Sequence, residues 1–155
     1  MNKKKWFLLP IFIVVIEGLG YLSAVLSGDV GKKYAALELP PLAPPGKVFG
    51  IVWPILYLLL AISLYLVVTS RRAERRLAVR PFIAAMALNF IWSPLFFGLG
   101  LFWAAALVII LMDFVTAMTL RAFARVKAAS AWLLAPYLLW LLFATYLNIS
   151  IAMLN

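Results

Sequence analysis

The sequence contains no cysteine and no histidine, and it sets only five acidic residues against 14 basic ones in 155. Without cysteine there are no disulfides and no thiolate chemistry, and the two absences together remove the ordinary zinc ligands and the common axial ligands of haem. Charge of any kind is scarce: 12% of residues are charged where a soluble domain carries roughly 25%, and 67% are hydrophobic. A soluble fold this small has nowhere to hide that much apolar surface, so a bilayer is the expected solvent. A formal charge of +9 would point to nucleic acid in a soluble chain, but here its distribution carries another meaning.

Apolar runs between charges and breakers define five spans of about 20 residues each, at 6–26, 48–68, 81–99, 101–123 and 131–154. The fold class that follows is all-α integral membrane, a five-transmembrane-helix bundle forming one domain over 1–155. Gly98-Leu99-Gly100 carries no charge, so spans three and four are expected to form a tight helical hairpin. Five alternating spans gather Lys3, Lys4, Lys5, Arg71, Arg72, Arg75, Arg76, Arg80, Arg121, Arg125 and Lys127 on one side and leave Lys32, Lys33 and Lys47 on the other. The positive-inside rule then puts the N-terminus in the cytoplasm and the C-terminus outside, in what is expected to be a bacterial inner membrane. The arginine cluster reads as an orientation signal beside anionic lipid, with no nucleic-acid partner. Lys3 to Lys5 followed by an apolar run also has the form of a secretory signal. Apolar sequence continues past Glu17 to Leu26, however, and Leu22-Ser23-Ala24 is a poor cleavage site, so the segment is expected to remain as the first span.

One connection is long, the outer loop 27–47, with Pro40, Pro41, Pro44, Pro45 and Gly46. Its prolines stiffen it, and its apolar residues Tyr34, Leu37, Leu39 and Leu42 favour a docked cover over a solvated linker. Beyond the loop, Phe49, Trp53 and Tyr57 recur every four residues on one helical face. Span three offers Asn89, Trp92 and Phe96, and span five Tyr137, Trp140, Ala144 and Asn148. Such stripes are ordinarily core, and Trp6, Trp103 and Trp132 near span ends fit interface anchors. Pro54, Pro94 and Pro136 each free a carbonyl one turn upstream, at Gly50, Phe90 and Trp132. Interrupted helices in a bundle commonly border a cavity, so an aromatic-lined cavity under the outer loop is expected.

Glu17 and Asp113 are the two intramembrane acids. Each must face the interior, be protonated or find a donor, which leaves proton coupling, a cation site, a ligand hydrogen bond or a neutral bridge between helices. Gly20, Ala24 and Gly28 form a small-residue ladder compatible with a helix contact, a homodimer seam among the options.

The run from Tyr34 through Pro40, Pro44, Pro45, Gly46, Phe49 and Trp53-Pro54 to Tyr57 resembles the signature of the translocator protein family, also known as tryptophan-rich sensory proteins (TspO) or peripheral-type benzodiazepine receptors. Two later blocks agree in order and spacing: Asn89-Phe-Ile-Trp92-Ser-Pro94-Leu-Phe96, and Pro136-Tyr137 through Trp140 and Ala144 to Asn148. Asp113 matches the acidic residue of the family's fourth helix. The resemblance implies a membrane receptor or sensor, commonly homodimeric, that binds porphyrin and isoquinoline-type molecules between helices under the first loop. Porphyrin would be a ligand, with no cofactor required. Carried over residue by residue, the pocket candidates are Tyr34, Trp53, Tyr57, Asn89, Trp92, Phe96, Trp140 and Ala144; the helical faces add Phe49 and Asn148. Lys32, Lys33 and Lys47 are placed to meet propionates. Some bacterial members are linked to light-dependent porphyrin breakdown through pocket tryptophans, which would make Trp53 and Trp140 catalytic here. A small proton-coupled exporter built on Glu17 is a third reading, and the five spans and proline-rich loop speak against it. Three departures stand out: Lys33 where the family often has Trp, Leu42 where it often has an aromatic, and no basic residue after Tyr146 to complete the sterol motif of animal members.

Overall fold

In the computed structural model, which describes residues 5–155, every regular element is helical. Lys3 and Lys4 lie outside the described residues. Helix α1 spans Leu8–Ser27, the short α2 Val30–Ala35, α3 Lys47–Val68, α4 Arg75–Ser93, α5 Phe102–Val126 and α6 Ala128–Leu154. The five long helices are each long and apolar enough to cross a membrane, which makes the chain an integral membrane protein. They close a ring in the order α1, α3, α6, α5, α4, with the α4–α5–α6 contacts the most extensive. Large apolar side chains such as Val14, Ile51, Leu107 and Leu139 are exposed around the outside, where lipid is the solvent. Trp6, Trp103 and Trp132 are exposed at helix ends, as interface anchors require.

Helix α4 begins at Arg75, six residues before the apolar run does. Hydrogen bonding propagates a helix through polar residues as well as apolar ones, so hydrophobicity marks the membrane boundary and not the helix end. Pro81 therefore falls inside the helix, and the carbonyl it frees belongs to exposed Leu77, where water can satisfy it. Pro94 acts differently. It widens the end of α4 into one π-helical turn, Pro94–Gly98, closed by Leu99 N–H donating to Pro94 O at 2.9 Å. Gly100, at φ +67°, then reverses the chain into α5. The hairpin is as tight as its uncharged sequence suggests.

The carbonyl that Pro94 frees, Phe90 O, accepts a hydrogen bond from Ser23 Oγ of α1 at 2.8 Å. Ser27 continues the seam, bonding Ser93 Oγ at 2.8 Å and its own helix at Ser23 O. Two clusters hold the bundle. The larger fills the half away from α2, around Leu60, Met112, Phe123 and Tyr137, with Phe82 stacked on Phe123 at 5.6 Å. A smaller one, Tyr34, Phe96, Ala105 and Ile151, sits beneath α2. At the end opposite α2, Lys5, Arg71, Arg75 and Lys127 border a single crevice, so the polarised charge pattern is a property of the folded bundle.

Candidate functional site

The 28–46 segment is a docked cover. Asp29 caps α2 by accepting from Lys32 N–H at 3.0 Å, which together with the nearby lysine charges holds its carboxyl below the usual range. Tyr34 is buried beneath α2, and burial pushes its hydroxyl pKa up; it stays protonated and donates to Pro44 O at 2.9 Å. From α6, Tyr146 Oη donates to Pro41 O at 2.8 Å, and the Asn155 amide exchanges two bonds with the Glu38 backbone at 3.0 and 3.1 Å. Between these anchors, Pro40 to Ala43 form a turn with Pro41 second and Leu42 third at φ +69°. This type II geometry ordinarily calls for glycine and points Leu42, 82% exposed, away from the protein. Leu42 therefore contributes nothing to the space underneath.

That space is a cavity of about 510 Å³ between α1, α3, α4 and α6, within the range of small-molecule sites. Tyr34 and Phe49 form its upper wall, their rings edge to face at 5.1 Å. Trp53 and Tyr57 continue down α3 with centroids 5.5 Å apart. From α4 come Asn89, Trp92 and Phe96, the last two stacked at 5.1 Å. Ala144 and Asn148 close the α6 side, and Glu17 stands on the α1 side. Trp140 does not line the cavity: it lies behind Phe49, ring to ring at 5.9 Å, with its indole nitrogen buried and without a hydrogen-bond partner. Asp113 is also elsewhere, at the α5–α6 interface, where Thr145 Oγ1 donates to it at 2.7 Å.

None of the three lysines lines the cavity. Lys32 pairs with Asp29 at 3.3 Å on the surface. Lys33 Nζ donates to Ser27 O at 3.0 Å and to Phe97 O at 2.7 Å, capping the ends of α1 and the π turn and fastening α2 to both. Lys33 is thus a cationic strut between α2 and the two helix ends. Lys47, exposed at the first residue of α3 and next in sequence to the wall residue Gly46, has no ion-pair partner among the described residues.

The polar wall residues are mostly committed to the fold. Tyr57 Oη donates to Asn89 Oδ1 at 2.8 Å, Asn89 Nδ2 donates to Tyr137 Oη at 3.0 Å, and Tyr137 Oη reaches Met112 Sδ at 3.4 Å, a chain that crosses four helices. Asn148 accepts from Trp92 Nε1 at 2.8 Å and donates to Phe102 O at 2.9 Å, so one amide holds α4, α5 and α6 together. Asn148→Leu should leave a buried indole N–H and a carbonyl unpaired, costing about 1–3 kcal/mol. A lower thermal unfolding midpoint in detergent is the expected readout. Adding Trp92→Phe, which deletes the orphaned donor, should recover part of the loss.

Sequence reasoning missed the participation of Gly20, Ser23 and Ser93 in this wall. Gly20 is not free to form a seam between copies, because the Tyr57 ring packs directly on its Cα. The signal that could have exposed Ser23 was Pro94, whose freed Phe90 carbonyl needed a donor from a neighbouring helix.

The model of the TspO/MBR family matches residues 11–154. The chain is similar to the tryptophan-rich protein TspO of Archaeoglobus fulgidus, 35% identical over 144 residues that cover 92% of this chain and 94% of the relative. It is similar to the tryptophan-rich sensory protein of Cereibacter sphaeroides, 31% identical over 97% of this chain and 92% of the relative. The human translocator protein is 36% identical over 81% of this chain and 76% of its own length.

Proposed function

This chain belongs to the TspO/MBR family, and from that premise we propose that it is a membrane receptor whose cavity takes porphyrin and related flat hydrophobic molecules. The observation that carries the reading is the cavity itself: flat rings of Phe49, Trp53, Tyr57, Trp92 and Phe96 around about 510 Å³, bordered above by Val30, Gly31 and Tyr34 of α2. Such walls favour a planar, apolar guest by stacking and by removing its faces from water. Lys47 at the mouth is the ammonium left to meet a propionate, since Lys32 and Lys33 are engaged.

Titrating the purified chain in detergent with protoporphyrin should quench tryptophan fluorescence saturably. Trp53→Ala is expected to weaken binding about tenfold through lost stacking and area. Trp140→Phe, behind the wall, should change it far less. Equal affinities in wild type and Trp53→Ala would remove this cavity from the function. If porphyrin oxidation accompanies binding, Trp53 and Trp92 on the wall are the indoles in reach of the macrocycle, and Trp140 is screened by Phe49.

In the bilayer, the arginine-rich end is read as cytoplasmic by the positive-inside rule, with the cover and cavity mouth outside. A homodimer, as the family resemblance implies, would place its seam away from Gly20, which Tyr57 occupies.

A further inference from the structure

The cavity wall contains one acid, which a purely apolar guest leaves unused. Glu17 projects from α1 on the same face as Gly20, Tyr21 and Ala24, and all four line the cavity. It lies ten residues, about 15 Å, along α1 from Ser27, hence deep below the cover. Most of the polar groups on the wall are spent inside the protein: Tyr57 and Asn89 on each other, Ser23 on Phe90 O, Ser93 on Ser27, Asn148 on Trp92. Among the described residues no basic side chain lines the cavity, and the ion pair found there, Lys32 with Asp29, is outside it. Glu17 is therefore an acid in a low-dielectric wall with no cationic partner among the described residues.

The surroundings of Glu17 are aromatic. Tyr57 packs on α1 at Gly20, one turn from Glu17, and Trp53 lies against Tyr57 at 5.5 Å with the rings tilted by 35°. A carboxylate in an aromatic wall is the chemistry that recognises an organic cation: ring faces attract positive charge through their quadrupoles, and the acid supplies the counter-charge. Neither term is weakened by water to the extent it would be at a surface.

We propose that this cavity selects planar aromatic ligands that carry a positive charge, with the cationic nitrogen seated at Glu17 beside the Trp53–Tyr57 pair. The proposal rests on the reading of the cavity as a ligand site and adds a charge preference to it. Propionates of a larger guest would stay at the mouth near Lys47, away from Glu17.

The test compares two probes of nearly the same shape, N-methylacridinium, a permanent cation, and acridine, held neutral at mildly alkaline pH. Both are titrated into the purified full chain in uncharged detergent, with tryptophan quenching as readout and protoporphyrin titrated in parallel. The cation should bind on the order of tenfold more tightly than acridine. Glu17→Gln should erase that difference, bringing the affinity of the cation down to that of acridine. Equal binding of the two probes to wild type, or a preference that survives Glu17→Gln, overturns the charge preference even if protoporphyrin binds. Failure of all three to bind overturns the cavity reading and this proposal with it.

Discussion

Ala144→Phe is expected to abolish protoporphyrin binding without unfolding the chain. Ala144 is buried on α6 and its methyl group faces the cavity, one helical turn above Trp140. Large-for-small substitutions in a close-packed core force off-rotamer side chains and backbone shifts. Here the added ring has a void of about 510 Å³ to enter, so that penalty is largely avoided. The ring would take up cavity space that a planar guest needs. Affinity should fall by about a hundredfold or more, equivalent to roughly 2.8 kcal/mol. The thermal midpoint in detergent should be unchanged or raised, because the phenyl group fills space and adds apolar contact. A folded Ala144→Phe chain that still quenches with wild-type affinity would place the ligand elsewhere on the protein.

Gly20→Ala should behave opposite to its usual sign. In an ordinary helix interior, replacing Gly by Ala gains up to about 1 kcal/mol. Gly18 offers that case inside α1, since a methyl group there meets nothing within 4 Å. A methyl group at Gly20 would overlap the Tyr57 ring. The ring cannot turn aside freely, because its hydroxyl donates to Asn89 at 2.8 Å and Asn89 is bound in turn to Tyr137. Either α1 moves outward or the Tyr57–Asn89 bond breaks, and the expected cost is about 1–3 kcal/mol. Thermal unfolding should therefore separate the two variants, Gly18→Ala at or above wild type and Gly20→Ala clearly below it. Combining Gly20→Ala with Tyr57→Ala should cost much less than the two singles summed, since the second change removes what the first collides with. Equal midpoints for Gly18→Ala and Gly20→Ala would show that Tyr57 does not rest on α1.

Much of the site was legible in one dimension because a helix maps spacing onto a face. Phe49, Trp53 and Tyr57 at four-residue steps had to share a side of α3, and Asn89, Trp92 and Phe96 a side of α4; all six line the cavity. The same rule could not distinguish Trp140 from Ala144. They share a face of α6, yet Phe49 screens the first and leaves the second open. The lysines were less legible still. Their place at the end opposite the arginines follows from the chain, but that Lys33 bonds Ser27 O and Phe97 O depends on where two helix ends finish in space.

By itself the sequence determined the solvent, the number of crossings and the side on which positive charge gathers. These follow from transfer free energies, which are sums over local composition and do not require knowledge of what packs against what. It also determined that Glu17 and Asp113 could not face lipid uncompensated. Only the tertiary structure decided that Glu17 borders the cavity while Asp113 meets Thr145 between α5 and α6, and that Gly20 receives a tyrosine ring from α3. Periodicity fixes which residues share a face of a helix, but the partner of each face is set by the order of helices around the ring and by side-chain volume. Both are long-range properties of the packed bundle.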